Sequence, residues 1–185
     1  MAHIDLQNEL PGIRGLMAYS PDTAKLLNEL AELLLRNDEN TLSRGERELI
    51  ATYVSFKNDC FFCQQVHGAL AGHYLNFSVA EIDAIKTDPQ AVIHSEKLTA
   101  LLQIAAAVQK GGKQVQEQHI AAARQAGATD KEIHDTVLIA AAFCMYNRYV
   151  DGLATWAPAD RQFYVDRAPS RAAEGYINTP LNTTK

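Results

Sequence analysis

The sequence is poor in cysteine, with three in 185 residues. Three thiols, two of them in a CxxC, cannot form the even framework of a disulfide-stapled secreted domain. A hydrophobic core must therefore hold the fold, and 185 residues at 47% apolar composition suit one domain with a sizeable core. Positive charge is also in short supply. The 17 Lys and Arg are outnumbered by 22 Asp and Glu, and a net charge of −5 leaves no footprint for nucleic acid or anionic lipid. No apolar run approaches the roughly 18–20 residues of a membrane span; the longest, LLQIAAAV and VLIAAAF, suit buried helices. The start, MAHIDLQNELPG, lacks the basic-then-apolar pattern of a signal peptide, so a cytoplasmic location is expected. Strict two-residue alternation persists nowhere, which excludes a sheet.

What is present is helical. Ser20-Pro21-Asp22 supplies an N-cap, a proline at the first helical position and an acid in the first turn. Leu26, Leu27, Leu30, Leu33 and Leu34 follow at helical spacing to about Arg36. Three capping boxes, Ser43-x-x-Glu46, Ser78-x-x-Glu81 and Thr129-x-x-Glu132, open further helices. These run to about Phe56, to just before Asp88-Pro89 and to about Thr155. A helix from about Ser95 to Lys110 ends at Gly111-Gly112, and one from Val115 to Gln125 ends at Gly127. Residues 1–19, interrupted by Pro11, Gly12 and Gly15, read as an irregular arm; residues 158–185 read as a polar, irregular tail whose final dozen residues are expected to be disordered. The expectation is a single all-α domain over 1–185, with a core over about 20–157.

The chain is organised around the stretch from Ser43 to Gly72. It holds Glu48, then eleven residues, then Cys60, Cys63 and His67. On a helix, spacings of three and four stack Cys60, Cys63 and His67 on one face. Asn58 or Asp59 would cap that helix, placing both thiols in or near the first turn, where unpaired N–H groups and the macrodipole favour a thiolate. The arrangement reads as a redox dithiol with a built-in base, since the thiolate is the reactive form and a free cysteine near pKa 8.5 is mostly protonated at neutral pH. His67 can accept the thiol proton, and Glu48, directly or through a water, can orient and charge-stabilise the imidazole. After attack, a sulfenic acid on one cysteine is resolved by the other within a single turn. Helix-terminus logic favours Cys60 as the attacking thiol, and proximity to His67 favours Cys63. Zinc bound by Cys60, Cys63, His67 and Glu48 is a competing reading, but structural zinc sites gather a second CxxC or HxxxH pair, and none is present. No metal or cofactor is expected.

Glu48, Cys60, Cys63 and His67 match at every spacing the E-x11-C-x-x-C-x3-H motif of the alkylhydroperoxidase D (AhpD) family, within the carboxymuconolactone decarboxylase superfamily. The chain looks most like the branch of peroxidase-related proteins. The likeness covers about residues 10–160, including the segments PGIRGLM and NRYVDGLATW. The resemblance implies an AhpD-like domain of about seven to eight helices and a thiol-dependent peroxidase in which Cys63 attacks and Cys60 resolves. It also implies a hydroperoxide substrate, a lipoyl-type or other dithiol reductant, and a homo-oligomer, trimeric or hexameric. One departure stands out. Well-studied members carry a second histidine between the cysteines, where this chain has Phe61 and Phe62. Lactone decarboxylation, also found in the superfamily, does not depend on a CxxC dithiol. The alternative function is a redox adaptor or oxidant-sensing dithiol protein without peroxidase turnover of its own.

An offset of 84 residues lays Glu48 on Glu132, Thr52 on Thr136, Cys60 on Cys144, Val66 on Val150 and Gly68 on Gly152, with the third capping box on the first. Two related helical units are expected, the second having lost the chemistry, since Asn147 and Asp151 fall where Cys63 and His67 would be. Cys144 is then a buried structural cysteine. Tyr146, Asn147, Arg148 and Asp151 are candidates to reach the site from the second unit. His3, His73, His94, His119 and His134 have no motif around them.

Overall fold

The computed structural model describes residues 2–177. Among them lie nine α-helices, two short 3-10 turns and no strand. In chain order these are α1 (Ile13–Tyr19), α2 (Pro21–Arg36), α3 (Arg44–Lys57), α4 (Phe61–Leu75), α5 (Val79–Thr87), α6 (Glu96–Lys110), α7 (Glu117–Gln125), α8 (Asp130–Gly152) and α9 (Gln162–Glu174). The fold is all-α, as expected. The two helices added at the ends are α1 and α9. Helix α9 lies within the stretch expected to be an irregular tail; of the final dozen residues, 178–185 lie outside the described residues. Tyr164, Ala168 and Ala172 recur every fourth residue on its buried side, a stripe sufficient to dock it despite Pro169 in its interior.

The three capping boxes all form, with Ser43, Ser78 and Thr129 accepting from the backbone N–H of Glu46, Glu81 and Glu132. The first and third open the corresponding helices of the two units, α3 and α8. Beyond that point the units differ. Helix α3 stops, the chain turns through Asp59 in the left-handed region at φ 59°, and α4 begins; α8, 23 residues long, runs on unbroken past Cys144 to Gly152. The main core gathers Leu35, Leu49, Ile50, Leu101, Leu102 and Ile104 from α2, α3 and α6, all completely buried. Each such side chain contributes about 1.5–3 kcal/mol by leaving water. A smaller apolar cluster forms around Cys60, Phe62, Cys63, Val150 and Tyr164, where α4 meets the end of α8 and the start of α9. No described helix is long and apolar enough to cross a membrane.

Candidate active site

The break between α3 and α4 sets the position of both thiols. Its cap is Cys60 itself, in extended conformation, rather than Asn58 or Asp59, so that α4 starts at Phe61 and Cys63 lies in its first turn. Asn58 instead braces the break. Its amide donates to Asn147 Oδ1 at 2.8 Å, Gln109 Nε2 donates to its carbonyl oxygen at 2.9 Å, and Asn147 in turn donates to Ser55 Oγ at 3.0 Å.

Both thiols are free and buried, Cys60 completely and Cys63 at 3% exposure. They touch each other. The hydrogen bond to Cys63 and the burial of the pair push the Cys60 thiol far above the usual thiol range. The carboxylate of Asp151, at the end of α8, accepts a hydrogen bond from Cys60; burial raises its own pKa, which that bond only partly offsets. Two adjacent buried sulfurs cannot both ionise, so one thiol of the pair stays protonated. Exposure to the cavity separates them. A cavity of about 490 Å³ is lined by Cys63 and His67 but not by Cys60.

Glu48 is not a solvated first-turn carboxylate. It lies at the fifth position of α3, at 1% exposure, and accepts from His67 Nδ1 at 2.7 Å and from the Tyr176 hydroxyl at 2.6 Å. Since the carboxylate fixes the hydrogen on Nδ1, the imidazole's other nitrogen, Nε2, is left to accept a proton. Among the described residues Nε2 has no hydrogen-bond partner. The ring is held edge-on to Phe143, with centroids 4.6 Å apart, and stacked on Tyr176 at 6.2 Å. Burial, with the charge of Glu48 behind it, pushes Tyr176 well above the usual phenol range, so its hydroxyl remains a donor.

The structure thus brings together the four residues singled out by spacing: the Cys60–Cys63 pair at the start of α4, and His67 one turn further along it, paired with Glu48 of α3. It adds Tyr176, and Asp151 reaches the site from the second unit. Of the other second-unit candidates, Tyr146 lines the cavity and donates to Leu27 O at 2.8 Å, with burial raising its pKa to about 12. Arg148 bonds back to Cys144 O on its own helix. Cys144 is buried beside Asn58 and does not line the cavity. Among the described residues no three His, Cys, Asp or Glu side chains converge as a metal site requires.

The profile of the Carboxymuconolactone decarboxylase family matches residues 21–75 and 94–157, most of the described core. The chain belongs to this family. The match falls in two segments, one holding α2–α4 and the other α6–α8, consistent with the two-unit architecture. Solved structures with the same fold include an uncharacterized peroxidase-related protein from Silicibacter sp. TM1040, at TM-score 0.73 and 23% identity over 83% of this chain and 78% of that one. At that identity the likeness speaks to the fold alone. The alkylhydroperoxidase AhpD core of an uncharacterized peroxidase-related protein from Ralstonia eutropha JMP134 matches at TM-score 0.75 and 27% identity, over 84% of this chain and 80% of that one. No curated protein sequence matches the chain.

Sequence reasoning missed Tyr176 as a contact of the site, whereas Asp151 was among the candidates from the second unit. Asp151 carried one signal, its place opposite His67 in the repeat. Tyr176 carried none, since it follows a glycine in a stretch without periodicity.

Proposed function

We propose that this member of the Carboxymuconolactone decarboxylase family is a thiol-dependent peroxidase that cycles its CxxC pair between dithiol and disulfide. The single observation behind this reading is the asymmetry of the pair. Cys63 lines a cavity together with a histidine held by a buried glutamate, while Cys60 sits behind it, hydrogen-bonded to Cys63 and Asp151.

In the proposed cycle His67 Nε2 takes the Cys63 proton, and the imidazolium is stabilised by Glu48. The Cys63 thiolate attacks the distal oxygen of the hydroperoxide. The O–O bond breaks, Cys63 becomes a sulfenic acid, and the departing alkoxide takes the proton from His67 and leaves as alcohol. The Cys60 thiol then displaces water from the sulfenic acid, closing the disulfide. A dithiol reductant of lipoyl type restores both thiols and leaves as its own disulfide. One histidine suffices for this sequence, so Phe61 and Phe62 between the cysteines do not interrupt it.

Thiol titration with turnover in the same sample tests the proposal. Peroxide should consume two of the three free thiols per chain, and dihydrolipoamide with a hydroperoxide should sustain turnover without a second protein. Unchanged thiols would overturn the proposal and leave a decarboxylase-type chemistry that needs no dithiol. Loss of two thiols without turnover would assign the adaptor role instead.

A further inference from the structure

The cavity beside Cys63 has an apolar body, including Val66, Leu70 and Phe143, and a cationic margin. Arg14 of α1 and Arg167 and Arg171 of α9 all line it, the last two one turn apart on one helix face. Among the described residues Arg167 and Arg171 form no ion pair. Arg167 stacks 3.6 Å over the Phe163 ring and donates to Phe163 O at 3.2 Å; Arg171 donates to Gly175 O at 3.0 Å and lies 5.3 Å from the Tyr176 ring. Glu174 lines the same cavity and forms no ion pair with Arg167 or Arg171. The arginines are close enough to act on one another: after burial, the charges of Arg171 and Arg167 lower the pKa of Arg14. This local excess stands against a chain of net charge −5. Like charges gathered this closely repel, and an anion entering among them is drawn in. The planar fork of a guanidinium fits a carboxylate bidentately, and stacking on aromatic rings holds that fork in place.

We propose that the cavity takes an amphipathic organic acid, its carboxylate held by Arg167 and Arg171 and its apolar body against Val66, Leu70 and Phe143. Resting on the peroxidase reading, this names the substrate class as hydroperoxides of carboxylic acids, such as fatty-acid hydroperoxides. A volume of about 490 Å³ falls within the roughly 300–1,000 Å³ of small-molecule sites.

Two measurements on the full chain test it. Calorimetric titration compares decanoate with decanol, which share a chain length and differ in charge. Turnover with dihydrolipoamide compares linoleic acid hydroperoxide with its methyl ester. Decanoate should bind at least about tenfold more tightly than decanol, and kcat/KM should favour the acid over the ester by a similar factor. In the double variant Arg167→Gln with Arg171→Gln both ratios should fall towards one, whereas Arg167→Lys with Arg171→Lys, which keeps the charge, should retain part of each. Equal binding of decanoate and decanol by the native protein, or undiminished ratios in the glutamine variant, would overturn the proposal. Turnover of acid and ester at equal rates sinks the anion site and leaves the peroxidase. Arginine-dependent decanoate binding without turnover of any hydroperoxide sinks the peroxidase and leaves the anion site.

Discussion

Tyr176 lies 128 residues beyond Glu48 in the sequence, yet its hydroxyl supplies one of the two hydrogen bonds to that carboxylate. Contacts of this reach leave no trace in local spacing. Glu48, Cys60, Cys63 and His67 were legible because one helix and its neighbour carry them at fixed offsets; Tyr176 meets Glu48 and His67, and Arg171 joins the cavity lining, only after α9 has folded back. Tyr176→Phe keeps the ring stacked on His67 and removes the donor. It is expected to cost about 1–3 kcal/mol, the range for a buried acceptor left short of a partner, read from the urea midpoint. Thiol oxidation should slow several-fold by stopped-flow. Roles at the sulfurs are tested by trapping. Cys63→Ser should abolish peroxide consumption, whereas Cys60→Ser should undergo one oxidation and stop at a sulfenic acid on Cys63. A sulfenic acid found on Cys60 in Cys63→Ser, with none on Cys63 in Cys60→Ser, would reverse the assignment. His67→Ala should slow attack most below neutral pH, where thiolate is scarcest without its base. Glu48→Gln should cost less, because an orienting hydrogen-bonding group remains.

At the scale of elements, capping boxes proved the dependable signal, since each satisfies orphan backbone groups through residues three apart and needs nothing distant. Termini were less legible. Helix α9 is held by Tyr164, Ala168 and Ala172, a stripe hidden among charged residues and interrupted by Pro169. The turn before α1 depends on Gly12 at φ 56°, where a Cβ would lie 2.4 Å from the Phe62 ring. Gly12→Ala should therefore strain the backbone and push Phe62, the neighbour of Cys63; a loss of about 1–3 kcal/mol in chemical denaturation is expected. The α3–α4 break depends on the second unit. Asn147, at 1% exposure, satisfies both Asn58 and Ser55. Asn147→Leu strands those groups, for an expected loss of about 2–4 kcal/mol, together with slower disulfide closure. Closure at the native rate in this variant would show that the break holds without it. Asn147, which falls opposite Cys63 in the repeat, thus braces the break that precedes the CxxC pair.

At the scale of the whole molecule, four of the large apolar side chains left outside fall in pairs on two long helices. Leu26 and Leu33 are 65% and 60% exposed on α2, and Leu138 and Met145 are 41% and 43% exposed on α8. Each pair is seven residues apart, two helical turns, so each forms a stripe along one face. A single exposed leucine is ordinary; paired stripes on two long helices suit association between copies of this chain. A homo-oligomer, trimeric or hexameric by the resemblance, is the expected state. Light scattering at micromolar concentration should return a multiple of the 20.4 kDa chain mass, and Leu33→Lys with Met145→Lys should shift it towards the monomer by placing like charges in the contact. If the double variant stays assembled, the contact lies elsewhere on the surface. A native mass near 20.4 kDa at every concentration would instead mean that the stripes face water, and that the core and the α9 dock alone stabilise the fold.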